Sequence, residues 1–495
     1  MMKLCTTVTS IAIFAFVNFT SGIAAAQLSL ASPFTDNAVL QQSMPVPVWG
    51  NIDPMAKVTV EFGGQKKMGQ ADANGRWQIE LDPLDASFEA RELTVTSSTT
   101  DEKLTLKNIL VGEVWICSGQ SNMQMGHAQI PEIKALIPKA KNIRSFKVKQ
   151  TVAFTEQDRL QGQWKVQAPG SAVGFAFAFS LEKAAEVPVG IVQSCWGSSS
   201  IEGWMPRDMT AKLPHFNKLM QTFDADQEKR DRIESILNGP KPWGRRNDIF
   251  LRTQPNVIYN AMMSPLAPLA CRGIVWYQGE ANAKPMEPML QYGKTLPAWS
   301  QRYREQWDRE DLHFMVVMLP GFAKGLKDRA ARPDQRSWAW MRESQMKILD
   351  LPHTSVVNTI DLGHPTNIHP KDKLPIGERL ALLAAHDILE KDIEARGPIL
   401  KTVKSKGNQL VVHFDHATGL TTHDGKPPSG FWLADDSQKW VKASAEIRGQ
   451  TVVLTSSELA KPRFVRYAFA GKPVVNLVNK AGLPAYPFRT DQFMP

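Results

Sequence analysis

The chain is poor in cysteine and lacks metal signatures, phosphate loops and long apolar runs, and each lack removes a class of function. Of four cysteines, Cys5 falls in a leader-like first segment, which leaves Cys117, Cys195 and Cys271. An odd number of thiols in a long chain, each in or just after an apolar run, reads as buried free cysteines and not as a disulfide framework. Ten histidines are present, but there is no Cys-x-x-Cys, no His-Glu-x-x-His and no aspartate-rich calcium loop; no metal site and no cofactor are expected. A glycine-rich phosphate loop and a repeat of fixed period are likewise missing. No segment supplies the ~20 apolar residues of a membrane-spanning helix. Charge of one sign is not concentrated either: 58 Lys and Arg oppose 49 Asp and Glu, and the net +9 is dispersed along the chain. That argues against a nucleic-acid partner. The densest basic stretch, KALIPKAKNIRSFKVK at 134–149, has apolar residues interleaved and reads as a solvated helix or strand face.

What is present is a globular composition, with 43% hydrophobic and 22% charged residues over 495 positions, room for about three domains. The first 26 residues follow a secretory pattern: Lys3, an apolar stretch from Ile11 to Val17, then Ala24, Ala25 and Ala26 before Gln27. Cleavage near Ala26 and export to the periplasm or the exterior are expected, with no stable membrane span afterwards. From 27 to 107, the runs PVPVWG, KVTVEFGG, GRWQIELDP and ELTVTSS alternate at period two between turn residues, the pattern of an antiparallel β-sandwich-like module. From 108 to 395 near-continuous Val and Ile runs alternate with helical stretches, which predicts an α/β core with a parallel sheet covered on both faces. A closing helix is predicted from Pro375 to Leu389, with Ile376, Leu380, Leu383 and Ala384 on one face. From 396 to 495 short strands such as QLVVHFDH and QTVVLTSS form a second β module. The polar segment 206–256 reads as helices and a loop inserted in the core, either a lid or a solvated connection.

In an open α/β sheet, ligands bind at the carboxyl ends of the strands. Three such ends carry polar clusters: SGQSNM at 118–123, YQGEANA at 277–283 and HPTNIHPKDK at 364–373. Ser121 stands between a strand and a helix start, where its hydroxyl can be held exposed beside backbone N–H groups; the plain alternative is an N-cap serine. His369, before a solvated-looking Lys-Asp-Lys, is the candidate base, with His364 as its rival. Gly279 and Asn282 supply the donor types of an oxyanion hole, although a glycine there also serves backbone freedom.

These blocks, in this order, resemble the sialate O-acetylesterase family, a branch of the SGNH-type hydrolases. CWGSSSIEGW at 195–204 and YNAMMSPLAPLACRGIVWYQGEANA at 259–283 extend the likeness, which spans about 110–390. The resemblance implies an α/β fold with a flavodoxin-like SGNH core, flanked by the two β-sandwich-like modules. It also implies Ser121 as nucleophile and His369 as general base, with Gly197 and Asn282 as oxyanion partners beside the Ser121 N–H; Gln120 and Gln278 in the same blocks are further oxyanion or substrate contacts. Many SGNH hydrolases carry an aspartate three residues before the histidine, where this chain has Thr366 followed by Asn367. The candidates to orient His369 are then Glu280, at the end of its strand and favoured, Asp361, which ends the strand before His369, and failing both a backbone carbonyl or no acid at all.

The implied substrate is an O-acetylated sialic acid or sialoglycan. Within the same chemistry stands an acetylxylan or other polysaccharide acetylesterase, and outside it a non-catalytic glycan-binding protein using Trp196, Trp204, Trp276 and Tyr277. Oligomeric state carries no sequence signal.

Overall fold

The computed structural model describes residues 27–98, 101–325, 331–333 and 338–495; the expected leader lies outside them, as does Cys5. The N-terminal runs form strands where their alternation predicts. Val46–Asn51 and Arg76–Leu81 pair antiparallel with every second residue buried. Lys57–Phe62, Gln65–Gln70 and Ser87–Ser97 pair antiparallel beside them and lead onto β1, Lys103–Gly119. This long strand crosses the expected boundary at 107/108 without a break. Its first half is partly exposed and pairs antiparallel with Ser87–Ser97, whereas every residue from Ile109 on is buried. One strand therefore carries the chain from the outer module into the core.

Beyond β1 the core strands are β2 (Ile143–Lys147), β3 (Val189–Cys195), β4 (Gly273–Tyr277), β5 (His313–Val317) and β6 (Thr354–Val357). They lie in the order β2-β3-β1-β4-β5-β6, all parallel, and the short strand Trp164–Lys165 pairs antiparallel with the outer edge of β2. Every residue of β3, β4 and β5 is buried, as a sheet covered on both faces requires. Helix α2 (Ala172–Ala185) covers one face through Phe177 against Trp115, with ring centroids 5.2 Å apart. The other face is covered by α3 (Met286–Trp307), whose Trp299 packs 4.6 Å from Trp276 and 5.2 Å from Phe314. The closing helix α4 (Leu374–Asp387) buries Ile376, Leu380, Leu383 and Ala384 and has Pro375 in its first turn. It lies tightly on α2, since a Cβ at Gly377 would meet that of Ala176 at 2.4 Å. Connections from β1 go first to β2 and β3 on one side and then to β4 on the other. The switch point of the sheet thus lies beside β1, and its carboxyl end is where a site is expected.

Two expectations need revision. The basic stretch 134–149 is not a solvated face throughout, because β2 inside it buries Ile143, Arg144, Ser145 and Phe146. Arg144 satisfies its guanidinium on the Asn108 side chain, 2.9 Å away, while Lys147 and Lys149 are exposed. Lys373 is not solvated either; it is fully buried.

Segment 206–256 forms the helices Arg207–Lys212, Asn217–Ala225, Gln227–Asn238 and Arg245–Arg252, which bury few side chains. The C-terminal region is antiparallel, with four strands ordered Ile399–Lys406, Gln409–Asp415, Thr451–Thr455, Ser444–Arg448 and a second four-stranded sheet containing Phe431–Ala434 and Phe464–Tyr467. It is tied to the core by Tyr486, whose hydroxyl donates to the Val356 carbonyl at 2.7 Å. All three described cysteines are buried and free. Among the described residues no helix is long and apolar enough to cross a membrane.

Candidate active site

The sequence after β1 folds into a tight corner because of Gly119. Its φ of +131° suits glycine, and a Cβ there would lie 2.2 Å from the Tyr277 carbonyl oxygen, so the ends of β1 and β4 can converge. The Gln120 N–H then donates to the Tyr277 carbonyl (3.0 Å) and the single turn α1, Ser121–Gln124, begins. At its first position the Ser121 Oγ lies 2.9 Å from His369 Nε2. The histidine loop is held from two sides: the Asn122 amide donates to the Ile368 carbonyl (3.0 Å), and the His369 N–H donates to Asn367 Oδ1 (3.0 Å). His364, the rival base, instead accepts the backbone N–H groups of Thr366 and Asn367 at 3.2 and 3.0 Å on its Nδ1 and shapes the turn. Partial burial of the His369 ring, and then the nearby Lys373 ammonium, hold its pKa below the ordinary 6.5. A neutral imidazole within hydrogen-bond reach of a serine hydroxyl can accept its proton when the oxygen attacks a carbonyl carbon.

Below this pair the side chains are buried and bound to one another. Gln120 Oε1 accepts from Gln278 Nε2 and from the Ala281 N–H, both at 3.1 Å. Gln278 Nε2 also donates to Asn282 Oδ1 (2.8 Å), and its Oε1 accepts from the Tyr292 hydroxyl (2.6 Å). Asn282 donates to Glu202 Oε2 at 3.1 Å, and the Gly279 carbonyl accepts the Asn282 N–H at 3.0 Å. Gln120, Gln278 and Asn282 thus join the blocks after β1, β3 and β4. Gly197 lies beside Ser121, since a Cβ there would be 3.4 Å from that of the serine. Its N–H donates to Gln124 Oε1 at 2.7 Å, so this backbone donor is already engaged.

The two candidate carboxylates are engaged elsewhere. Glu280 accepts a short hydrogen bond from Asn122 Nδ2 through Oε1, while its buried Oε2 has no partner; burial raises its pKa. Asp361 is held by Arg379 in a two-pronged pair of 2.8 and 2.7 Å. No hydrogen bond joins either to His369. On the other side of Asn122, its Oδ1 accepts from the Lys373 ammonium at 2.6 Å, and burial lowers that lysine to about 8. A neutral amide therefore bridges a buried cation and a buried carboxylate.

Asn122, Gln124 and Lys373 were not singled out by the sequence. The first two belong to the Ser121 block and read as ordinary helix flanks, and Lys373 sits in a run that looks solvated. Trp196, Trp204, Trp276 and Tyr277 are at most 1% exposed, so they offer no ring face to a sugar. An open cavity of 520 Å³ fronts the pair, lined by Ser121, Gln124, Met125, Gly126, Gln129 and His369 among others. Among the described residues no group of three or more His, Cys, Asp or Glu could hold a metal ion.

Residues 111–238 and 245–385 match the family described as carbohydrate esterase, sialic acid-specific acetylesterase. The chain belongs to that family. Within it, rat sialate O-acetylesterase is 28% identical over 89% of each chain, and the human sialate O-acetylesterase is 25% identical over 84% of this chain and 82% of its own. A crystal structure of a carbohydrate acetylesterase from Xanthomonas citri is 33% identical, covers 94% of this chain and 100% of its own, and superimposes with a TM-score of 0.80. As a member of the sialic acid-specific acetylesterase family the chain is a carboxylic ester hydrolase, and the Ser121 corner lies within the matched residues.

Proposed function

We propose that the chain is an exported serine esterase that removes O-acetyl groups from sialic acid or sialoglycans. The observation that carries this reading is the 2.9 Å approach of His369 Nε2 to Ser121 Oγ at the mouth of an open cavity. Ser121 attacks the acetyl carbonyl while His369 Nε2 takes its proton. The oxyanion is received by the N–H groups of Ser121 and Gly197 once the Gln124 side chain gives up the Gly197 N–H, and by the Asn282 amide once it in turn releases Glu202. His369 returns the proton to the sugar oxygen as its bond to the acetyl carbon breaks, so the sugar leaves as a hydroxyl, and water repeats the sequence to release acetate. Glu280 serves through Asn122, which holds the peptide before His369, and not by touching the imidazole. The α/β sheet with its switch point beside β1 supports a flavodoxin-like SGNH core. Export rests on the pattern of the first 26 residues alone, and the N-terminus of the purified protein would test it.

The deciding experiment compares acetate release from O-acetylated sialic acid and from acetylated xylan, with Ser121→Ala beside the unaltered chain. Release from sialate that vanishes in the variant is expected. Preference for xylan would keep the mechanism and change the substrate; glycan binding without release from either would overturn the esterase reading.

A further inference from the structure

A second cavity, of 440 Å³, opens beside the Ser121 corner at the same edge of the sheet. One wall follows β2 and carries Lys149; another is Trp196, the first residue after β3; a third comes from the inserted segment and carries Lys241 and Trp243. Trp196 couples this cavity to the corner, because its N–H donates to the Gly119 carbonyl at 2.9 Å and its chain neighbour Gly197 lies against Ser121. The size is that of a small-ligand pocket.

Its chemistry is cationic and aromatic. Lys149, Arg159 and Lys241 line it. Lys149 donates to the neutral Gln161 (2.7 Å) and Arg159 to the neutral Ser29 (2.9 Å), so neither charge is cancelled there; the Lys241 ammonium lies 5.3 Å from the centre of the Trp243 ring. Asp248 is the single carboxylate in the lining, and it already accepts from Trp196 Nε1 (3.2 Å) and pairs with Arg252 (3.2 Å). Trp243 is partly exposed and stacks over the buried Trp196 at 6.4 Å and 15°. Its Nε1 is shielded from solvent and has no hydrogen-bond partner. The family match lapses between residues 238 and 245, where Lys241 and Trp243 stand.

We propose that this cavity is a glycan subsite for a carboxylate-bearing sugar, distinct from the acetyl-binding corner. The Trp243 ring offers an apolar face to the sugar and the three cations receive its carboxylate. The link to turnover rests on the esterase reading; the binding does not.

The test titrates the full chain carrying Ser121→Ala, which cannot turn substrate over, with 3′-sialyllactose, with a glucuronate-containing oligosaccharide and with neutral lactose. Either acidic sugar should bind at least tenfold tighter than lactose, and the two arms identify which carboxylate source fits. Lys241→Gln at its exposed site, and separately Trp243→Ala, should each weaken that binding about tenfold. With Ser121 intact, both changes should raise KM for an acetylated acidic glycan about tenfold with kcat unchanged, and leave hydrolysis of 4-nitrophenyl acetate within twofold. Equal binding of lactose, or unaltered affinity in Lys241→Gln, would overturn the subsite. Activity that survives Ser121→Ala would overturn the esterase reading instead, and the binding arm would still decide the cavity.

Discussion

The two sides of Ser121 are built on opposite terms. Toward solvent, Ser121 at the start of α1 and His369 in its loop meet through a single hydrogen bond between Oγ and Nε2. Toward the interior, Gln120, Asn122, Gln278, Glu280 and Lys373 are at most 3% exposed, and most of their polar side-chain atoms are bonded to one another. The open side can change partners during a reaction, whereas the closed side cannot without leaving buried groups unpaired. On the proposed reading chemistry belongs to the first and position to the second, and substitutions on the two sides should therefore fail differently.

The largest effect is expected on the open side. Ser121→Ala or His369→Ala should lower kcat/KM for an acetyl ester by roughly 10³-fold or more, while the thermal midpoint moves little, because neither side chain is part of the buried floor. A large fall in the midpoint of either variant would erase the contrast. On the closed side Asn122→Ala should do the reverse. It strips Lys373 and Glu280 of their shared partner and should cost on the order of 3 kcal/mol of stability in chemical denaturation, with a smaller loss of activity, roughly 10- to 100-fold, as the Ile368 tether goes.

The carboxylates sharpen the comparison further. Glu280→Gln keeps an acceptor for Asn122, and Asp361→Asn weakens only the Arg379 pair, so each should lower kcat by less than about tenfold. A carboxylate that orients the imidazole directly would instead cost about 10⁴-fold on amide replacement, and that result in either variant would place the acid on the open side. A smaller change, in the favourable direction, is expected from Gln124→Ala. With Gln124 Oε1 gone, the Gly197 N–H is free before substrate arrives, and kcat/KM should rise by a few fold. A fall would mean that the glutamine is itself used in binding.

The same division explains what could be read in the sequence. Strands with strict alternation, such as Arg76–Leu81, and the all-apolar β4 and β5 announce themselves through burial on one or two faces. Ser121 and His369 stand out in the sequence because a serine and a histidine in polar blocks at strand ends are chemically conspicuous, and the structure brings the two within 2.9 Å. Asn122, Gln124 and Lys373 were not, since an amide or a lysine in a polar run looks the same whether it meets water or a buried partner. The long strand β1 hid the module boundary for a related reason: alternation gives way to continuous burial within one extended element, with no turn residue to mark the change.

The smallest predicted effect measures how far the closed side reaches into the open one. His369 is held below its ordinary pKa of 6.5 first by partial burial and second by the Lys373 ammonium. As the proposed base, His369 must be neutral to accept the Ser121 proton, so activity should be lost as pH falls through this lowered pKa, and the acid limb of kcat/KM should lie below pH 6.5. Lys373→Met removes the positive charge but not the burial. Its acid limb should shift upward yet stay below the ordinary histidine value, because the larger of the two causes remains. Lys373 itself, lowered to about 8, loses its charge as pH rises through that value, and the unaltered chain should then approach the variant's behaviour in alkaline buffer. An acid limb unmoved by Lys373→Met would mean that the buried lysine acts on the site only by holding Asn122 in place.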